Sequence, residues 1–441
     1  MADPTVLILG AGVTGLAAGY ASGRPVYEAA AVPGGICSSY YVRPGTAERL
    51  PAPPEDGEAY RFELGGGHWI FGGDPAVLRF LGGLAPMRVY HRRSGVYFRE
   101  EGRYVPFPLQ YHLAALDEAT RAAALREIDA PPPETPPETM AAWIASRFGP
   151  TLTRRFFGPF HARYTAGLWT EIAPQDPYKS PLDRALVRQG AEGAVPEAGY
   201  NVRFLYPEEG LDALARRLAA RTAVYYGRHA VEIDLGRRRV RFEDGTAEGY
   251  DLLVSTLPLH AMMQMTGLAA EAPPPDPYTS VLVVNVGAER GPRCPDDHWL
   301  YLPDTGAGHF RVGCYSNVDP GFLPCSAQER GDRVALYVER AFPGGARPAA
   351  DETDAFAREV VEELQADGWI GAPEVVDPTW IETAYTWTRP GSRWRTEALG
   401  RLEAQGVVMT GRYARWTFQG IADSVRDGLA VGATLREAAR R

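Results

Sequence analysis

Three glycines, spaced as Gly10-Ala-Gly12-Val-Thr-Gly15, follow the apolar run Thr5–Leu9 and precede the small-residue stretch Leu16–Ala21. That strand–turn–helix context gives the spacing its chemical meaning, a seat for the pyrophosphate of a dinucleotide. Gly10 permits the tight turn, Gly12 lets the backbone approach the anion, and Gly15 lets helix and strand pack closely. The helix N-terminus then faces the negative charge. Glu28 lies 18 residues after Gly10. A carboxylate there accepts hydrogen bonds from a ribose 2′-hydroxyl and repels a 2′-phosphate, so an NADP site is excluded.

The elements that must position this turn read from the apolar pattern. Thr5–Leu9 and Tyr250–Thr256 are continuous apolar runs of the kind found in strands buried on both faces of a parallel sheet. Pro25–Glu28 is the strand that delivers the acid. Tyr60–Gly73 is apolar and glycine-rich, which predicts close approach of backbone to a ligand. Strands are predicted over Arg88–Tyr90, Gly95–Phe98, Arg103–Phe107, 280–287, 308–316 and 407–411. Helices are predicted over 113–165 (broken by Pro131–Pro137), from Leu211, over 353–366 and over Asp423–Arg440.

Composition removes several function classes. The 441 residues are 45% hydrophobic and 23% charged, too apolar for a disordered tail and too long and cysteine-poor for a disulfide scaffold. A net charge of −9 leaves no polyanion-binding surface, so nucleic acid is excluded as a partner. Cys37, Cys294, Cys314 and Cys325 have no metal-ligand spacing, which predicts reduced thiols and no metal. The first residues lack a basic signal region and no run of about 18 apolar residues occurs, so a cytoplasmic protein without a membrane partner is expected. Lys179 is the only lysine among 46 basic residues, so any lysine-dependent mechanism has one candidate.

Gly34-Gly35, in Val-Pro-Gly-Gly-Ile-Cys-Ser-Ser, follows the second strand, and here the chain resembles the flavoprotein superfamily of amine oxidases, protoporphyrinogen oxidases and UDP-galactopyranose mutases. The resemblance implies FAD. Gly34 and Gly35 would admit the pyrophosphate and ribityl chain, Gly411 and Arg412 in Gly406-Val-Val-Met-Thr-Gly-Arg would close on the flavin, and Val231 in His229-Ala-Val-Glu-Ile-Asp would pair with adenine. Gly67 and Asp423 are further cofactor candidates. The implied fold is α/β, with a Rossmann-like FAD-binding domain carrying inserted α-helical and mixed antiparallel-sheet substrate domains. The expected division is 1–80, 206–265 and 396–441 for FAD, 81–112 and 278–395 for the antiparallel sheet, and 113–205 for a helical cap.

Further segments resemble the mutase branch. They are Glu63-Leu-Gly-Gly-Gly-His68-Trp-Ile-Phe, Arg103-Tyr-Val-Pro-Phe-Pro-Leu-Gln, Tyr164-Thr-Ala-Gly-Leu-Trp169, Gly199-Tyr200-Asn201-Val-Arg-Phe-Leu-Tyr-Pro and His309-Phe-Arg311-Val. This resemblance implies that reduced-flavin N5 acts on the anomeric carbon of a nucleotide sugar, interconverting pyranose and furanose forms. A nicotinamide donor would meet the flavin only transiently, and a homodimer stays open. His68 would sit beside the flavin and Arg311 would clamp the diphosphate. Tyr164, Trp169, Arg188, Tyr200, Asn201 and Phe418 would line the substrate side. The chain departs from the mutase pattern where Phe418 replaces a tyrosine, Gly420 an aspartate and Gly167 a lysine. Those departures, with Trp387 and Trp416, suit an apolar pocket. They keep open the alternative of an FAD-dependent oxidoreductase that removes a hydride from a small molecule.

Overall fold

The computed structural model describes residues 4–175, 181–194, 198–199 and 201–438. Its framework is a five-stranded parallel sheet in the order Val407–Met409, Leu252–Ser255, Val6–Leu9, Val26–Tyr27, Val224–Tyr225. Val6–Leu9 takes the centre because all four of its side chains are apolar and buried, so neither face can meet water. Helix Val13–Ser22 follows directly, and the late helix Ile421–Ala438 packs along it. The two ends of the chain therefore meet over one sheet.

A second sheet has seven strands in the order Ile370–Thr386, Tyr278–Arg290, Arg333–Pro343, Arg311–Cys314, Trp299–Tyr301, Ser94–Phe98, Arg103–Pro106. Every pairing is antiparallel except Trp299–Tyr301 with Ser94–Phe98. Three of these features escape a reading of the sequence. Ile370–Thr386 contains Pro373 and Pro378, which break a strand pattern; it lies at the sheet edge, where a missing N–H costs no ladder bond. Arg333–Pro343 and the helix Trp394–Ala404 are the other two. The strand expected over 308–316 is shorter, Arg311–Cys314, and turns at once into the helical turn Tyr315–Val318.

Beside the antiparallel sheet lies a helical region of Glu118–Asp129, Met140–Leu152, Gly158–Tyr164 and Arg184–Ala191. Asp117 and Thr139 start the first two helices by accepting the backbone N–H of Thr120 and Ala142. Ile144, Phe148, Leu152, Phe156 and Phe157 are buried in a core of their own. A π-helical turn at Thr153–Phe157 joins this core to Gly158–Tyr164, and Phe156 and Phe157 also reach the cavity described next.

Candidate active site

Three glycine turns converge on the N-terminus of helix Val13–Ser22. Gly12 is its N-cap and has no side chain to satisfy the first-turn N–H groups. Gly34 N–H donates to Ala11 O at 2.8 Å, which brings the Gly34-Gly35 turn against the first. Gly411, with φ +91°, completes the cradle beside Thr14. A Cβ on Gly12 would meet nothing within 4 Å, whereas one on Gly15 would strike Gly10 O at 1.9 Å. Gly15 is thus required by packing, and Gly12 faces open space. That space is a cavity of about 720 Å³. Free backbone N–H groups, a helix N-terminus and an empty position above Gly12 fit the pyrophosphate of a dinucleotide. Glu28 lies at the same end of the cavity, its carboxylate accepting Ala11 N–H at 2.6 Å and Ala30 N–H at 2.8 Å. Asp423 enters from the first turn of Ile421–Ala438, paired with Arg426 at 3.1 Å.

Further in, Gly65 to Gly67 form the turn that carries His68. Tyr337 Oη stands 2.1 Å from where a Cβ on Gly67 would be, so only glycine lets the turn lie this close to the antiparallel sheet. The His68 Nδ1 lies 3.4 Å from Gly66 O. Burial, with the positive charges of Arg412 and Arg311, pushes this imidazole down to about 4. It is neutral at pH 7, and the Gly66 contact makes Nδ1 the donor and leaves Nε2 an acceptor.

The two arginines differ. Arg311 is held in a two-pronged ion pair by Glu339, Nε to Oε2 at 2.5 Å and Nη2 to Oε1 at 2.7 Å, and Glu339 is almost fully buried. The fork expected to clamp a diphosphate is therefore largely occupied. Arg412 meets only carbonyl oxygens, those of Gln419 and Ala384 at 3.2 Å each, and its guanidinium lies 4.6 Å above the Phe418 ring. Among the described residues it has no carboxylate partner. Much of the remaining cavity wall is aromatic, with Phe107, Trp143, Phe156, Phe160, Tyr164, Tyr301, Phe310, Tyr385 and Trp387 around it. Asn201 also lines it, accepting a hydrogen bond from Arg92.

Gly10, Gly12, Glu28, Gly34, Gly35, Gly67, His68, Tyr164, Asn201, Arg311, Gly411, Arg412, Phe418 and Asp423 all line this one cavity. Trp169 does not: it packs behind helix Gly158–Tyr164, against Gly158 and His161. Arg188 is on the surface, bonded to Asp129 at 2.9 Å beside a separate shallow depression. Trp416 is buried behind the wall and donates to Trp387 O. Val231 is off the cavity as well. It is the extra residue of a bulge between Ala230 and Glu232, which leaves its backbone outside the ladder. Tyr200 and Lys179 lie outside the described residues. Glu339 is a site residue that the sequence pattern did not disclose, because the strand bearing it was not recognised. Among the described residues no cluster of His, Cys, Asp or Glu could hold a metal, and no helix is long and apolar enough to cross a membrane.

Burial sets a pH dependence for the whole fold. It holds His161 down at about 4 and His298 and His309 at about 3, as it does His68. The unfolded chain protonates these rings near 6.5 and the folded chain does not, so stability falls as pH drops from about 6.5 towards 4. Glu63 works the other way. Burial raises its carboxyl to about 7, so its contribution is present at low pH and lost as pH rises through 7. His112 is held down at about 4 as well, and Asp297 is raised like Glu63, so the depressed rings outnumber the raised carboxyls. The expected denaturation midpoint at pH 5 is well below that at pH 7.5; equal midpoints would mean that these rings are not neutral in the fold.

Residues 25–434 match the family model described as flavin containing amine oxidoreductase. A reduced UDP-galactopyranose mutase superposes with a TM-score of 0.82 at 21% identity, over 99% of this chain and 96% of that one. A protein assigned as a protoporphyrinogen oxidase from Exiguobacterium sp. 255-15 gives 0.67 at 16% identity, over 99% of both chains. Putrescine oxidase bound to putrescine gives 0.58 at 16% identity, over 98% of both. At such identities the likeness is one of fold.

Proposed function

We propose, for a chain that belongs to the flavin containing amine oxidoreductase family, a redox-neutral rearrangement of a nucleotide sugar within the cavity described above. Membership makes this a flavin-dependent enzyme acting on a small molecule. The pyrophosphate of FAD would rest on the turns at Gly10–Gly15, Gly34-Gly35 and Gly411, with Glu28 at the ribose and Asp423 beside the last helix. Residues 1–80, 206–265 and 396–441 would form this cofactor-binding part, with the substrate parts between them. In reduced form FAD supplies an electron-rich ring nitrogen, N5, able to act on an anomeric carbon without net oxidation. A nicotinamide donor would provide that form.

The observation that supports this reading is the meeting of His68, Arg311 and Arg412 in mid-cavity, where Glu339 pairs with Arg311 alone and Arg412 bonds only to carbonyl oxygens. The surplus positive charge suits a diphosphate and disfavours an ammonium. Arg412 would take the larger share of that anion. Arg311, held flat by Glu339, keeps its Nη1 edge for it. His68 would accept a hydrogen bond at Nε2, and Tyr164 and Asn201 would stack against and bond to the nucleoside. The aromatic walls exclude water from the reacting carbon.

One observation favours a second reading. Phe418 and Gly420 remove a hydroxyl and a carboxylate from the cavity, and the remaining wall suits an apolar substrate giving up a hydride. The two separate in an anaerobic assay. Dithionite-reduced protein is expected to convert a nucleotide sugar to its ring isomer while oxidised protein does not, with no reductant consumed. Absence of any conversion, together with a substrate that bleaches the flavin and colour that returns in air, would sink the mutase reading in favour of an oxidase.

A further inference from the structure

The two arginines of the cavity are held by different means. Arg311 uses its Nε and Nη2 on Glu339, which also neutralises it. Arg412 is held through its face. Its guanidinium carbon lies 4.6 Å from the centre of the Phe418 ring, 5.5 Å from that of Tyr413 and 5.7 Å from that of Tyr385. All three are within the reach of a cation–π attraction, about 6 Å. Two of the guanidinium N–H groups donate at the rim of this cage, Nη1 to Gln419 O and Nη2 to Ala384 O, at 3.2 Å each. The others have no partner among the described residues, and Arg412 lines the cavity.

A ring face fixes a cation without removing its charge, whereas a carboxylate does both. The cage is neutral at pH 7. Burial raises the phenol of Tyr385 to about 12 and raises that of Tyr413, and Phe418 has none. The backbone is bent to build it. Thr417 N–H donates to Arg412 O at 3.0 Å, and Trp416 has φ +52°, a left-handed conformation that bulky residues rarely adopt. Trp416 is held there by the core, with Nε1 on Trp387 O at 3.0 Å and its ring 5.0 Å from that of Trp394. The turn brings Phe418 back onto the face of Arg412. Strain of this kind persists where the surrounding packing imposes it, and it clusters at ligand sites. Phe418 therefore does more than leave out a hydroxyl, since its face is the nearest of the three to the cation.

We propose that Phe418 is a positioning residue. With Tyr385 and Tyr413 it fixes the Arg412 guanidinium by its face and leaves the charge uncompensated, so that the unused N–H groups meet one phosphoryl group of a diphosphate-bearing substrate. The choice of substrate rests on the nucleotide-sugar reading; the geometry of the cage does not. A phosphoryl group offers a pair of charged oxygens at the spacing of a guanidinium fork. Arg311, already matched by Glu339, adds direction rather than net charge. The ring at position 418 thus decides how firmly the anion is held, without touching it.

The test is calorimetric titration of the FAD-loaded, oxidised protein with inorganic pyrophosphate, with acetate as the carboxylate control. Phe418→Leu stays apolar but loses the ring face, and it is expected to weaken pyrophosphate binding about 5- to 30-fold with flavin content unchanged. Phe418→Tyr keeps the face and should bind within about 2-fold of the parent protein. In an Arg412→Ala background Phe418→Leu should have no further effect, a coupling that a purely structural ring would not show. Phe418→Met replaces the leucine variant if that protein does not fold. Parent-like affinity in Phe418→Leu, additive losses in the double variant, flavin lost with the ring, or acetate bound as tightly as pyrophosphate would each overturn the proposal. The expected weakening in a protein that rearranges no nucleotide sugar would uphold the role of Phe418 and overturn the mutase reading alone.

Discussion

Gly12→Val protein is expected to purify folded and colourless. Gly12 has an ordinary φ of −64°, which valine tolerates, and nothing in the protein stands within 4 Å of the new Cβ. The branched side chain would fill only the space above the helix N-terminus, where the proposed reading puts the pyrophosphate, and would cover the N–H groups there. FAD affinity should fall by at least about 100-fold, close to 3 kcal/mol. Gly15→Ala is the companion variant. Its methyl group would lie 1.9 Å from Gly10 O, so it should damage the fold itself. The ratio of flavin to protein absorbance, read alongside circular dichroism, separates the two. A Gly12→Val protein that retains full flavin would remove the cofactor from this turn.

The second large effect concerns Arg311. Arg311→Ala strands a carboxylate, Glu339, that is 3% exposed. Removing one partner of a buried pair typically costs about 3–5 kcal/mol, because the other charge is left without compensation. Replacing both, as Arg311→Met with Glu339→Leu, should recover most of that loss. Denaturant midpoints of the two single variants and the double variant measure the coupling. Additive losses would mean that Glu339 finds another partner, and that Arg311 is free for substrate after all.

The parts of the site legible in the sequence are those where backbone geometry dictates residue type. Gly10, Gly15, Gly34-Gly35 and Gly411 have few alternatives to glycine in the fold, while Gly12 keeps the space above the helix N-terminus open, so the turns could be recognised. Glu28 and His68 were legible because each follows such a turn at a fixed distance. Glu339 was not. It is one acid in a mostly apolar strand, and its importance comes from Arg311 on the neighbouring strand, a pairing set by sheet register. Trp169 and Arg188 show the opposite failure. Tyr164, close to Trp169 in sequence, reaches the cavity, but the helical turn at Leu168–Thr170 directs Trp169 elsewhere, and the helix Arg184–Ala191 that carries Arg188 does not line the cavity at all. The edge strand Ile370–Thr386 was hidden by two prolines that only an edge position tolerates.

The strand order of the parallel sheet has a consequence for how the protein is made. Val6–Leu9 leaves the ribosome about 400 residues before Val407–Met409 and the helix that packs on Val13–Ser22. At about 5–20 residues per second the interval is roughly 20 to 80 s. Throughout it helix Val13–Ser22 lacks the helix that packs along it, and Gly411 is not yet in place beside Thr14. That helix therefore waits through this interval for its partner, and a dinucleotide would meet the complete set of glycine turns only after Gly411 has emerged.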